Sequence, residues 1–96
     1  MAEEVRYERN PDFVFRTIVD EAVLVPIRRQ VADMDHIYTL NAVGAFVWGR
    51  LDGTATFAGL EAAIIDAFAA EPGVVAGDLR DFLLEMETIG AIRRAA

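Results

Sequence analysis

The chain of 96 residues has no cysteine, a single histidine, only three prolines, and no lysine, its nine basic residues all being arginine. Without cysteine there is no thiolate nucleophile, no Cys-ligated zinc and no disulfide framework. His36 is the only imidazole. Asp33 and Asp35 stand beside it, but two carboxylates and one imidazole in a polar loop fall short of a metal ligand set, so His36 reads as a surface residue at a strand entrance. No G-x-x-x-x-G-K-[ST] or G-x-G-x-x-G stretch cradles a phosphate. No apolar run approaches membrane-spanning length, and the opening MAEEVRYERNPD lacks the basic start and apolar stretch of a secretory signal. The expected location is the cytoplasm. With a formal charge of -7, the surface repels a phosphate backbone. Neither nucleic acid nor membrane is an expected partner, and no cofactor or metal is expected.

What remains is a rich supply of core material. Hydrophobic residues make up 54% of the chain, including six Phe, two Tyr and one Trp, enough apolar surface for one domain to fold without staples. Residues 1–12 are polar, end in Asn10-Pro11-Asp12, and read as a flexible N-terminal arm. A single domain spans 13–92, and 93–96 form a C-terminal tail. Strand patterning begins at Phe13, where Phe13, Phe15 and Thr17 alternate with Val14, Arg16 and Ile18. A second strand carries Val23, Val25 and Ile27 on one face. Pro26 lacks an amide hydrogen, which places its side or end of that strand at a sheet margin. After the charged loop from Arg28 to Asp35, His36 to Leu40 form a short third strand.

Helical spacing then takes over. Asn41 is an N-cap for a helix presenting Val43, Val47 and Leu51 on one face, with Gly53 as its terminator. Thr56 caps a second helix with Phe57, Leu60, Ile64 and Phe68 on its apolar stripe. The third opens at Pro72, buries Val75, Leu79, Phe82, Leu83, Met86 and Ile89, and ends at Gly90. Strands followed by helices imply an α+β fold: three helices packed on one side of a three-stranded antiparallel sheet. Trp48, about 100° from Val47 around the helix, is a structural anchor at the core margin with its N–H accessible. Gly44 admits another element closely.

Catalytic chemistry finds little to work with. The pairs Asp78 with Asp81 and Asp81 with Glu85 sit at helical spacing, but without a pocket signature they read as a solvated face. Three helices after a sheet suit a winged-helix DNA-binding regulator, yet the would-be recognition helix carries Asp78, Asp81, Glu85 and Glu87 against Arg80 alone, the wrong sign for a phosphate-lined groove.

The pattern Tyr38-x-Leu40-Asn41-x-x-Gly44-x-x-Val47-Trp48-x-x-Leu51-Asp52-Gly53, followed by Thr56 and by Asp78-Leu79-x-x-Phe82-Leu83, resembles the coenzyme PQQ synthesis protein D (PqqD) family. The likeness runs from about Phe13 to Ile92. It implies a winged helix-turn-helix-like fold and a non-enzymatic role as a RiPP recognition element. Such a domain binds the leader of a ribosomally made precursor peptide and presents it, in the manner of a chaperone, to a radical SAM or other peptide-modifying enzyme. In such domains the leader adds as a strand to the third sheet strand and rests against the third helix. Here that maps onto His36, Ile37, Tyr38, Thr39 and Leu40, with Asp78, Leu79, Phe82, Leu83 and Met86 as the facing wall. An open strand edge also admits pairing with a second copy, so a homodimer is the competing structural role.

Overall fold

The computed structural model describes residues 5–18, 21–27 and 37–95. The elements run β1 (Arg6–Arg9), β2 (Phe13–Ile18), β3 (Glu21–Pro26), β4 (Tyr38–Leu40), α1 (Ala42–Trp48), β5 (Asp52–Thr56), α2 (Phe57–Phe68), α3 (Pro72–Thr88) and β6 (Ile92–Arg94). The fold is α+β, with the expected three-stranded antiparallel sheet in the order β2-β3-β4 and three helices. A second antiparallel sheet, ordered β5-β1-β6, adds to it, and β5 comes between the first two helices.

In the first sheet, Phe13 pairs with Pro26, Phe15 with Leu24 and Thr17 with Ala22, while β4 sets Tyr38 against Leu24 and Leu40 against Ala22. Directly opposed residues share a face. The inner face therefore carries Phe13, Leu24 and Leu40, all buried in the main hydrophobic cluster. Val23, opposite Thr39, belongs to the outer face. Pro26 ends β3 beyond the reach of β4, which pairs only along Ala22 to Leu24, so its missing amide costs no ladder bond on that side.

The second sheet revises the expectation for both chain ends. Residues 6–9, expected within an arm, form the middle strand: Arg6 pairs with Thr56 and Glu8 with Asp52 on one side, Tyr7 with Arg94 and Arg9 with Ile92 on the other. Arg93 and Arg94, expected in a tail, belong to β6 and donate to Glu8 at 2.7 Å and to Glu87 at 3.2 Å. Local propensity does not make RYER a strand. Partners supplied from far along the chain do, and the bonds from Arg9 Nη1 to the Trp48 carbonyl (3.0 Å) and from Asn10 Nδ2 to the Gly90 carbonyl (2.8 Å) fasten the segment to the helices.

The helix starts follow the capping chemistry. Asn41 Oδ1 accepts the Gly44 amide at 2.8 Å and Thr56 Oγ1 accepts the Gly59 amide at 3.1 Å, each satisfying a first-turn donor. Pro72 stands at the start of α3, where no intrahelical partner awaits an amide. Gly53 does not terminate α1. The helix ends at Gly49, and Gly53, with φ +91°, lies inside β5, whose path it bends past Glu8. At the head of β5, Asp52 accepts the Thr54 hydroxyl at 2.6 Å and its amide at 3.0 Å. Those bonds, the hydroxyl foremost, hold the Asp52 carboxyl below its ordinary value. A depressed carboxylate favours the fold at neutral pH, and its contribution is lost as pH falls through the folded-state value.

The core lies between the inner face of the first sheet and the helices. Val75, Leu79, Leu83 and Met86 enter it from α3, Leu60 and Ile64 from α2, and Val47 and Trp48 from α1. Trp48 is only 5% exposed, deeper than the marginal position its helical angle suggests. Leu84, at 62% exposure, stays largely outside, while Phe68, at 38%, packs edge-on against Phe46 at the rim. Among the described residues no helix is long and apolar enough to cross a membrane.

Candidate functional site

β4 is a margin strand: it pairs with β3 on one side, and among the described residues no strand pairs with its other side. Its three residues alternate, Tyr38 and Leu40 toward the inner face and Thr39 toward the outer. The chain turns at Asn41 directly into α1, and α3 closes on that junction. Gly44 makes the approach close enough. A Cβ built there would fall 3.1 Å from Phe82 Cε1, 3.3 Å from Asn41 Oδ1 and 3.5 Å from Leu40 Cβ. Phe82 of α3 thus lies against Gly44, four residues beyond the end of β4, because α1 has no side chain at that point.

A cavity of about 450 Å³ opens beside this contact. Val43, Gly44 and Val47 of α1 form one wall and Val74, Leu79 and Phe82 of α3 the other. Asp78, Asp81 and Glu85 border it, all exposed to solvent. A larger cavity of about 630 Å³ lies along the other flank of α3, between Tyr7, Phe57, Leu83 and Leu84; β4 lines neither, but the smaller one reaches Asn41, the residue that follows it. The smaller cavity offers apolar contact and a few carboxylates at the β4–α1 junction, where Asn41 lines it. Among the described residues, no group of three His, Cys, Asp or Glu side chains could hold a metal.

The residues marked out by the sequence divide between groove and core. His36, with Asp33 and Asp35, lies outside the described residues. Ile37 is 58% exposed, Thr39 is exposed and Tyr38 half-buried, so this edge is accessible. Leu40 is buried in the core cluster. On α3, Asp78, Leu79 and Phe82 line the cavity, Leu79 from a buried position. Leu83 and Met86 do not join them: at 3% and 2% exposure they face the core, and Leu83 borders the other cavity. The seventeen-residue α3 turns one stripe wholly inward, so the wall belongs to the neighbouring stripe of Val74, Asp78, Asp81, Phe82 and Glu85. Val74, Asp81 and Glu85 are the additions. Asp81 and Glu85 announce themselves in the sequence only by their spacing from Asp78, and that spacing fits a solvated face equally well.

The Gly44 contact is testable. Gly44→Val should lose about 1–3 kcal/mol in chemical denaturation, the usual cost of overpacking, because Leu40 Cβ is fixed to the strand and only the Phe82 ring can give way. Gly44→Ala should be nearly neutral: a gain in helix propensity of about 1 kcal/mol opposes the tight contact. Equal stability of Gly44→Val and the parent would mean that α3 does not press on this point.

The domain is thus a small α+β fold with one open strand edge and, next to the end of that strand, an apolar cavity edged by the carboxylates of α3. The chain belongs to the coenzyme PQQ synthesis protein D (PqqD) family, whose family model matches residues 21–92. Among solved structures it is similar to that of TbiB1 in complex with the TbiA(beta) leader peptide, at a TM-score of 0.73 and 25% identity over 93% of this chain and 98% of that one. A comparison with curated proteins finds no match.

Proposed function

We propose that this protein binds the leader of a ribosomally made precursor peptide and presents it to a modifying enzyme. The leader adds as a strand along the open side of β4. The observation that carries the reading is this open margin, with Phe82 of α3 packed on Gly44 just beyond it, in a chain similar over 93% of its length to a protein solved with a leader peptide bound. Strand addition takes affinity from backbone bonds common to any sequence, and specificity from pockets that receive alternate guest side chains. Guest residues in line with Tyr38 and Leu40 face the α3 groove, and those in line with Thr39 face outward. A radical SAM protein of the kind that serves PQQ formation is the partner the family points to.

The test is an amide-shift titration by NMR with the leader of a candidate precursor. Binding is expected to perturb Ile37 to Leu40 and the stretch from Val74 to Glu85, leaving the exposed face of α2 unmoved. Perturbation centred on β2, the other margin of the same sheet, would overturn the placement. Perturbation that grows with protein concentration in the absence of peptide would favour pairing of two copies instead.

A further inference from the structure

The next inference rests on the groove reading and concerns the chemistry of its guest. Asp78, Asp81 and Glu85 all border the cavity between α1 and α3 that reaches Asn41 at the end of β4, and among the described residues none of them forms an ion pair; the arginines of β6 pair instead with Glu8 and Glu87. On a helix, residues three and four apart are neighbours, so Asp78 with Asp81 and Asp81 with Glu85 set like charges side by side, which weakens the helix. Among the described residues no countercharge relieves them. Between them the same wall is apolar: Phe82 is half-buried, and Val74, 59% exposed, extends the surface toward the start of the helix. Arg80, the one base of α3, takes no part, because its guanidinium sits over the Phe57 ring at 5.7 Å on the opposite flank.

We propose that the groove selects a cationic guest strand of the pattern basic-x-apolar-x-basic. The central apolar side chain enters the cavity against Phe82, and arginine or lysine at the two flanking positions reaches the carboxylates. The spacing agrees. From Asp78 to Glu85 a helix rises about 10 Å, while alternate positions i and i+4 of an extended strand stand about 13 Å apart, a difference that flexible basic side chains absorb. The charge acts as a filter: an anionic segment in the same seat meets three carboxylates, and a neutral one leaves their mutual repulsion in place.

The test is a selection of random twelve-residue peptides, displayed and panned against the full chain at low salt, followed by NMR mapping of the winners and fluorescence anisotropy with labelled copies. Enriched peptides are expected to carry the pattern and to shift the amides of Tyr38 to Leu40. The triple variant Asp78→Asn, Asp81→Asn, Glu85→Gln is expected to bind them about tenfold more weakly, since both basic side chains lose their exposed carboxylate partners, each pairing of modest worth. Raising salt to about 0.5 M should close most of that gap, because exposed pairs are screened at that strength. Winners that shift Tyr38 to Leu40 but are neutral or acidic, or that bind the triple variant as tightly, overturn the charge filter and leave strand addition standing. Winners that leave those amides unmoved, or a selection that yields no binder, overturn the groove itself and the filter with it.

Discussion

Trp48→Ala is expected to lose about 3–5 kcal/mol of unfolding free energy, the range for deleting a buried aromatic side chain. Trp48 is 5% exposed and joins the cluster that includes Val47, Leu51 and Leu60. Its carbonyl also accepts the Arg9 guanidinium at 3.0 Å, but that bond belongs to the backbone and survives the substitution, so the loss reports packing alone. Urea denaturation followed by far-ultraviolet circular dichroism suits the measurement, because Trp48 is the only tryptophan and its fluorescence goes with it. Trp48→Phe, which keeps part of the ring volume, should fall between the two. A loss under about 1 kcal/mol would match an exposed position instead.

Starting the chain at Asn10 should have an effect of similar size. β1 is the middle strand of its sheet, so its removal strips β5 and β6 of their common partner and breaks the bond from the Arg9 amide to the Leu51 carbonyl. Several ladder bonds at about 1 kcal/mol net each, together with the lost packing of half-buried Tyr7, amount to a loss of at least about 3 kcal/mol. Leu51, Ala91 and Ile92, all at 2% exposure or less, lie next to the strand that would be missing. Thermal unfolding checks this: an unchanged midpoint for the chain starting at Asn10 would return residues 6–9 to the status of an arm.

That contrast shows which parts of the fold are written locally. Asn41, Thr56 and Pro72 act within one helical turn of themselves, so the starts of all three helices follow from a few adjacent residues. The β2-β3-β4 sheet is nearly as legible because its residues are β-branched or aromatic and alternate. β1, β5 and β6 are different. RYER is mostly charged, DGTAT is small and polar, and each becomes a strand only because a distant segment supplies the other half of its hydrogen bonds. Gly53 illustrates the ambiguity: a glycine after an aspartate suits a helix terminator and a bent strand alike, and the choice is made by Glu8 beside it. At the site, periodicity identifies α3 as amphipathic but does not say which stripe is sealed by other elements. Leu83 and Met86 therefore look as available as Phe82 until the sheet and α2 are in place.

The Ala95 amide donates to the Arg6 carbonyl at 2.8 Å, joining points almost a full chain apart. Closing so long a loop is entropically the most demanding contact in the molecule, though the penalty grows only logarithmically with length. Once made, it removes the ordinary routes of fraying, since neither end can peel away without unzipping the other. An endoprotease acting at β1 or β6 would meet a strand held by its partner, so cleavage there is expected only after the two have separated.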